Sequence, residues 1–381
     1  MPKARKQINI YREPIPRQPK FSFGSTFYLN FNKRMKTMII YSQFKSQKLS
    51  AIMKKTVLGI STGLIAFNLG VNLGLAADPF RKNDPRPIGN QTELGFKAMF
   101  AQGNYKQAKN YLEQAQSQEP NEPLVYALLA SLAYQDEDFT SLKTYSDKTL
   151  ETAKLLSTKD PLRGNLYVAV GLFLQGGHTV VSEGTLKGAP KALNKLQEVL
   201  KFLDVAQKID PEDPELNLIQ GYMDLLLSLN LPFSDSKKAI NQLEKQAEPR
   251  YLVYRGIAVG YKNLGQQDQA LTYTEKALSE APNHPEVLYL KAQILADQGK
   301  KLKAENQTTT PTQLKEAQKY FTQSLGQSDQ LPKRLVAQIF YEQCKNLNRI
   351  DNQSRPCDPL RDTIKDTQGL WGPTANQLPT L

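Results

Sequence analysis

Histidine and cysteine are scarce. In 381 residues there are two of each: His178, His284, Cys344 and Cys357. That scarcity excludes an HExxH zinc site and any paired CxxC site. No GxxxxGK[ST] loop is present to cradle a phosphate, and no G-x-S-x-G follows a strand-like run. The GISTG at 59–63 lies inside an uncharged N-terminal stretch and carries no catalytic meaning. No enzyme, metal or cofactor is therefore expected. His178 stands near Ser182 and Glu183 in a Gly-rich stretch that reads as a polar loop. His284, in Pro-Asn-His-Pro, reads as a turn or helix-start residue. The acidic pairs Asp136/Asp138 and Glu212/Asp213 fall in predicted inter-helix turns, where carboxylates complement helix N-termini.

Acidic residues are nearly missing from the first part of the chain. The formal net charge is +12, yet residues 1–52 hold 11 Lys/Arg against the single Glu13, and Lys54 and Lys55 follow. From Asp78 onward 36 basic and 36 acidic residues remain, so that part is formally neutral. Phosphate binding draws on clustered positive charge, and on that ground a nucleic-acid partner is not expected.

Charge is absent altogether from Thr56 to Ala77. Lys54 and Lys55 precede this run, an apolar stretch spans Val57–Phe67, and the small residues Ala76-Ala77 end it before Asp78. This is the layout of a cleaved secretory signal over 53–77. Gly, Ser61, Asn68 and Asn72 dilute the run, which disfavours a permanent membrane anchor. Residues 1–52 are basic, without helical periodicity, and read either as a disordered extension or as an artefact of translation starting at Met53. Pro79, Pro85 and Pro87 make 78–90 an extended linker. The expected compartment is the periplasm or another extracytoplasmic space such as a thylakoid lumen. Membrane contact is expected only if 56–77 stays attached.

What the chain does have, over 91–346, is helical periodicity with self-similarity at about 34 residues. The clearest copy begins at Tyr251 and places Tyr254, Ile257, Ala258, Tyr261, Gly265, Ala270, Ala277 and Pro282 in a large, apolar, small, aromatic, turn, small, small, breaker order. Ala258 and Ala270 let two helices approach closely, while Tyr254 and Tyr261 share one helical face. Gly265 permits positive φ in the turn, and Pro282 stops the second helix.

This copy resembles the tetratricopeptide repeat, or TPR. Weaker copies supply Gly103, Tyr105, Ala108, Leu112, Ala115 and Pro120; then Tyr126, Leu129, Ala130, Ala133 and Phe139; then Tyr167, Val170, Gly171 and Leu174. Later copies keep Gly221 and Ala239, then Leu288, Ala292, Leu295 and Gly299. A Gly-rich insertion over 176–190 and a polar one before Ala317 interrupt the series. The resemblance implies an all-α fold, a right-handed solenoid of antiparallel helix pairs, with 347–381 as a C-terminal cap and tail. The sequence of signal, Pro-rich linker and degenerate repeats also resembles exported TPR proteins of cyanobacteria.

In that family the first helix of each pair lines a concave face that takes a partner protein or peptide. The resemblance places Arg255, Lys262, Asn263, Tyr289, Gln293 and Tyr134 on that face as candidate partner contacts. It thereby implies a protein–protein interaction scaffold. Val259 stands where a chaperone-tail clamp needs Asn, so binding to a chaperone C-terminus is not predicted. The alternative is an exported small-ligand-binding protein or hydrolase using 176–190 as a lid over a deep polar pocket. Cys344 and Cys357, close in sequence, are a candidate disulfide in an exported protein, against two free thiols as the other reading.

Overall fold

A computed structural model describes residues 78–81, 84–230, 236–305 and 311–381. The expected basic extension and signal peptide lie outside the described residues. Thirteen α-helices follow one another, and no strand occurs among the described residues. They are α1 (Asn90–Phe100), α2 (Tyr105–Gln118), α3 (Pro123–Gln135), α4 (Phe139–Leu156) and α5 (Pro161–Ile209). Then come α6 (Pro214–Asn230), α7 (Ser236–Gln246), α8 (Arg250–Asn263) and α9 (Gln267–Glu280). The last are α10 (Pro285–Glu305), α11 (Thr312–Leu325), α12 (Lys333–Asp351) and α13 (Cys357–Lys365).

Successive helices pack pairwise in chain order, α1 on α2, α3 on α4, α6 on α7, α8 on α9 and α10 on α11. The chain is a right-handed α-solenoid of TPR-like antiparallel helix pairs. Local signals set the helix starts. Asn104, Asp138, Asp160 and Asp213 each accept a hydrogen bond from a backbone N–H in the first turn of the helix that follows. Pro123 and Pro161 open α3 and α5, where their missing N–H costs nothing. Gly103 and Gly265 turn the chain at φ near +70°.

Inside the pairs, small residues let helices touch. A Cβ on Gly221 would come within 2.5 Å of the Leu243 side chain, and one on Gly95 within 2.8 Å of Leu112. Ala108, Ala115, Ala130, Ala258, Ala270 and Ala277 are all fully buried. Tyr105, Tyr167, Tyr289, Phe321 and Phe340 fill the larger gaps of the core.

Four regions differ from the sequence expectation. The Gly-rich 176–190 stretch is helical: α5 runs through it and breaks only at Gly184, whose φ is +77°. Its two arms pack tightly, since a Cβ on Gly188 would meet the Thr179 carbonyl at 2.5 Å, and Val180 and Ala189 are buried. Burial of alternate turns outweighs the low helix propensity of glycine there. Gly299 does not end its helix, because α10 continues to Glu305. Helix α12 crosses the expected boundary at 346 and is tied to α13 by a Cys344–Cys357 disulfide with Cα atoms 5.7 Å apart. Finally, the segment before α1 is docked rather than free at 78–81 and 84–89: Phe80 and Ile88 are each only 2% exposed.

The C-terminal tail returns to the array. Trp371 pairs with Pro332, the Lys333 amide donates to the Leu370 carbonyl, and the Gly372 amide donates to the Leu331 carbonyl. The tail thus covers the start of α12. No helix among the described residues is long and apolar enough to cross a membrane.

Candidate binding groove on the concave face

The inner helix of each pair opens on one face. Leu124, Ala127 and Leu128 of α3, Tyr167, Val170 and Phe173 of α5, Leu218, Tyr222 and Leu226 of α6, and Leu252 of α8 converge there. With Phe96 and Phe100 of α1 and Phe80 they enclose a cavity of about 150 Å³. Its wall is apolar apart from the Arg255 guanidinium and tyrosine hydroxyls. A cavity of that size lined by aliphatic and aromatic groups accommodates about one aromatic ring.

Along one rim lies a buried charge cluster built from helix starts. Glu122 caps α3, Asp160 caps α5, and Asp213 caps α6 with Glu215 two residues on. Arg163 of α5 sits among them, donating to both Glu122 oxygens at 2.8 and 3.0 Å and to Glu215 at 2.9 Å. The Tyr167 hydroxyl donates to Glu215 at 2.7 Å, and the Arg163 guanidinium lies 5.1 Å from the Tyr167 ring centre. Burial alone would pull Arg163 down, but the Glu122 and Glu215 carboxylates hold it well above its ordinary value. Burial, then the Glu215 charge, pushes the Tyr167 hydroxyl up, so it stays a donor.

Residues 78–81 and 84–89 form a strap across this rim. The Phe80 ring packs edge-on against Phe96, with centroids 4.9 Å apart, and Phe96 meets Phe100 the same way at 4.8 Å. Arg81 pairs with Asp213. Arg86 reaches Asp213 at 2.9 Å, Glu215 at 3.1 Å and Asp160 at 3.3 Å. The buried Asp78 carboxylate accepts from the Phe80 and Arg86 amides and so shapes the strap from within. Burial pushes that carboxyl above its usual range.

A second charge cluster closes the array on itself. Glu286, at the start of α10, accepts from Arg255 of α8 at 2.8 Å and from the Tyr105 hydroxyl of α2. A Cβ on Gly103 would strike Pro285, and Arg334 of α12 reaches Glu137 at 3.1 Å. The Tyr222 hydroxyl donates to the Leu252 carbonyl at 2.7 Å, and burial raises its pKa to about 12. His284 lies beside the backbone of Met99 and Phe100. Burial, then the Arg255 charge, pushes its pKa down to about 3, so it is neutral.

The residues singled out in the sequence fall into two groups. Arg255, Tyr289, Gln293 and Tyr134 are buried among neighbouring helices. Arg255 is neutralised by Glu286, Gln293 donates to Glu342 at 2.8 Å, and the Tyr289 hydroxyl faces Glu342, Gln338 and Gln293. Burial pushes the Glu342 carboxyl up in this setting. Lys262 is half-buried and lies 3.8 Å from Asp297, while Asn263 is exposed. Only Arg255 touches the cavity. The groove residues themselves are Leu124, Ala127, Leu218, Tyr222 and Leu226, at matching places in the weaker copies. The signal for them was the apolar inner face of those copies rather than polar groups in the clearest one.

The hydrolase alternative loses its parts. Ser182 Oγ donates to the His178 carbonyl at 2.8 Å, and Glu183 is held by Lys191 at 2.8 Å. The 176–190 segment is no lid loop, and the cavity is apolar rather than polar. No cluster of His, Cys, Asp and Glu among the described residues could hold a metal ion.

No protein-family model matches the chain, and no curated protein sequence matches it. Solved structures do. The human IFIT1 dimer with m7Gppp-AAAA is 13% identical, with a TM-score of 0.38, over 72% of this chain and 61% of that one. The human IFIT1 dimer with PPP-AAAA is 14% identical, TM-score 0.39, over 72% and 63%. A monomeric IFIT1 mutant with Gppp-AAAA is 13% identical, TM-score 0.39, over 72% and 62%. The chain thus spans less than two thirds of the length of these proteins, and the solenoid assignment rests on the helix pairs above rather than on this likeness. One expectation is corrected by them. Exclusion of nucleic acid as a partner does not stand, since these similar structures hold capped or triphosphate oligonucleotides. The physical reason is that total neutrality over 78–381 does not decide the matter, because phosphate contacts depend on local clusters of cations.

Proposed function

We propose that this chain is an exported scaffold that binds a partner protein by taking a segment of it on the concave face. The observation that carries this reading is the strap. A turned, non-helical piece of the chain already lies against the groove, anchored by one aromatic ring and two guanidiniums. Aromatic anchors in dry pockets with charged neighbours are the usual source of binding energy at such surfaces. The Cys344–Cys357 disulfide supports an oxidising compartment, in line with the expected signal at 53–77.

The test is affinity capture from the native envelope fraction with the full chain as bait, beside an Ala127→Phe variant whose cavity is filled. A protein held by the native chain and lost with the variant supports the scaffold. A second reading, binding of a small apolar molecule, has one observation in its favour, the cavity of about 150 Å³. Capture of no protein, together with a melting temperature raised by a one-ring hydrocarbon, would put that reading first.

A further inference from the structure

We infer that the strap is an internal stand-in for the partner, and that the groove recognises a turn-forming peptide carrying an apolar anchor followed by two arginines, one and six residues later. This deepens the scaffold reading and rests on it. Three observations lead there.

The first is charge. Of the four carboxylates at this rim, Glu122 and Glu215 hold the Arg163 guanidinium, whereas the ion pairs of Asp213 run to Arg81 and Arg86 of the strap and that of Asp160 runs to Arg86. The Asp213 and Glu215 side chains are fully buried. Without the strap Glu215 keeps Arg163 and the Tyr167 hydroxyl, but Asp213 keeps only the Leu216 amide, and a carboxylate stripped of its cations in such a site favours a cationic occupant. Arg81 and Arg86 supply two positive charges there, while the strap's own Asp78 carboxylate is turned onto the Phe80 and Arg86 amides.

The second is how the strap is held. Apart from Gly89, whose carbonyl accepts from the Glu93 amide of α1, its backbone hydrogen bonds close on itself: Arg81 N–H to the Asp78 carbonyl, Ile88 N–H to the Arg86 carbonyl, and the two amides on the Asp78 carboxylate. Its attachment to the solenoid runs through side chains: Phe80, Arg81, Arg86 and Ile88. A separate peptide could make the same contacts.

The third is fit. Phe80 covers one end of the groove, and the cavity of about 150 Å³ continues beside it along α3, α5 and α6. A larger apolar anchor than phenylalanine reaches further into that space.

The experiment uses a fluorescein-labelled peptide of residues 78–89, Asp-Pro-Phe-Arg-Lys-Asn-Asp-Pro-Arg-Pro-Ile-Gly. It is titrated by fluorescence polarisation into the full chain and into a Phe80→Ala/Arg81→Ala/Arg86→Ala variant. The native strap occupies the groove and lowers the competent fraction, so the variant should bind at least about tenfold tighter. Replacing Phe by Trp in the peptide should tighten binding, and adding Asp213→Asn/Glu215→Gln to the variant should abolish it. A variant with native helicity that binds the peptide no better than a scrambled control overturns the inference. Should the variant fail to fold, hydrogen exchange on the native chain decides. Excess Trp-containing peptide should deprotect residues 78–89 while α3, α5 and α6 keep their protection. An unchanged strap at saturating peptide overturns it. Loss of a captured partner in Ala127→Phe, with no peptide binding in either assay, would reject this inference and leave the scaffold reading intact.

Discussion

Arg86 and Glu215 lie 129 residues apart in the chain and 3.1 Å apart in space. The pair joins a segment that reads as a linker to a buried carboxylate at the start of α6. Removing Arg86 takes a cation from both Asp213 and Glu215, leaving Glu215 with Arg163 and the Tyr167 hydroxyl and Asp213 with Arg81. Arg86→Met is therefore expected to destabilise the fold by about 3 kcal/mol. Phe80→Ala should cost about 3 kcal/mol through the lost ring and the cavity it leaves. Urea denaturation measures both, and an unchanged midpoint for either would show that the strap is not bound in solution.

The Arg255–Glu286 pair tests the closure of the array. Each single change, Arg255→Met or Glu286→Gln, should cost about 3–5 kcal/mol. The double change should cost clearly less than the sum, because both buried charges go together. A double-mutant cycle by denaturation reads the coupling. Additive costs would mean that the two groups do not interact.

Two groups give opposite pH dependences. His284 is held down at about 3, against an ordinary value of 6.5, so the unfolded chain binds a proton that the native chain refuses. Its contribution is full above pH 6.5 and declines as pH falls toward 3, at a slope approaching about 1.4 kcal/mol per pH unit. Asp136 is raised by burial from 3.8 to about 6, so the native chain holds its proton more tightly. It favours the fold below pH 3.8 and loses that advantage as pH rises to 6. Asp136→Asn should therefore stabilise the chain at pH 7 by roughly 2 kcal/mol and do little at pH 4. Denaturation midpoints at the two pH values check this, and equal effects at both would exclude a raised Asp136.

Gly221 and Leu243 set the spacing within one helix pair. Gly221→Ala gains about 1 kcal/mol of helix propensity. The new Cβ, however, falls 2.5 Å from a Leu243 side chain that is fully buried. Overpacking costs about 1–3 kcal/mol, so the net effect should be a loss of about 1 kcal/mol. Adding Leu243→Ala should remove the clash penalty. A stabilised single variant would show that the helices can separate.

The all-α solenoid was legible because its signals are local and repeat. Ala258, Ala270, Gly265 and Pro282 report a helix pair from within one copy, and the same small and turning residues recur elsewhere. The inner face of each first helix was legible too, as a set of positions. Its chemistry was not, because the clearest copy carries polar groups there that the structure spends on ties between helices, Arg255 to Glu286 and Gln293 to Glu342. The strap was hidden for a related reason. Three prolines in 78–90 read as an extended linker, whereas the chain turns at 78–81 and is docked, which proline content does not report. Its partners Asp160, Asp213 and Glu215 look like ordinary helix starts, which they also are. The helix through 176–190 was missed because glycine content lowers local propensity, while the packing of the two arms is decided at longer range.

The bond from the Tyr105 hydroxyl to Glu286 spans 181 residues. Repeat arrays usually gain stability unit by unit, like links added to a rod, and can melt from either end. Here the first units are finished only when α10 has formed, and the strap cannot seat until α6 supplies Asp213 and Glu215. Contacts of such sequence separation slow folding, because a large loop must close before they reward the chain. The array should consequently behave as a single cooperative unit. Shortening it from the C-terminus past Pro285 would not shave stability in even steps but would release α1 and α2 at the opposite end.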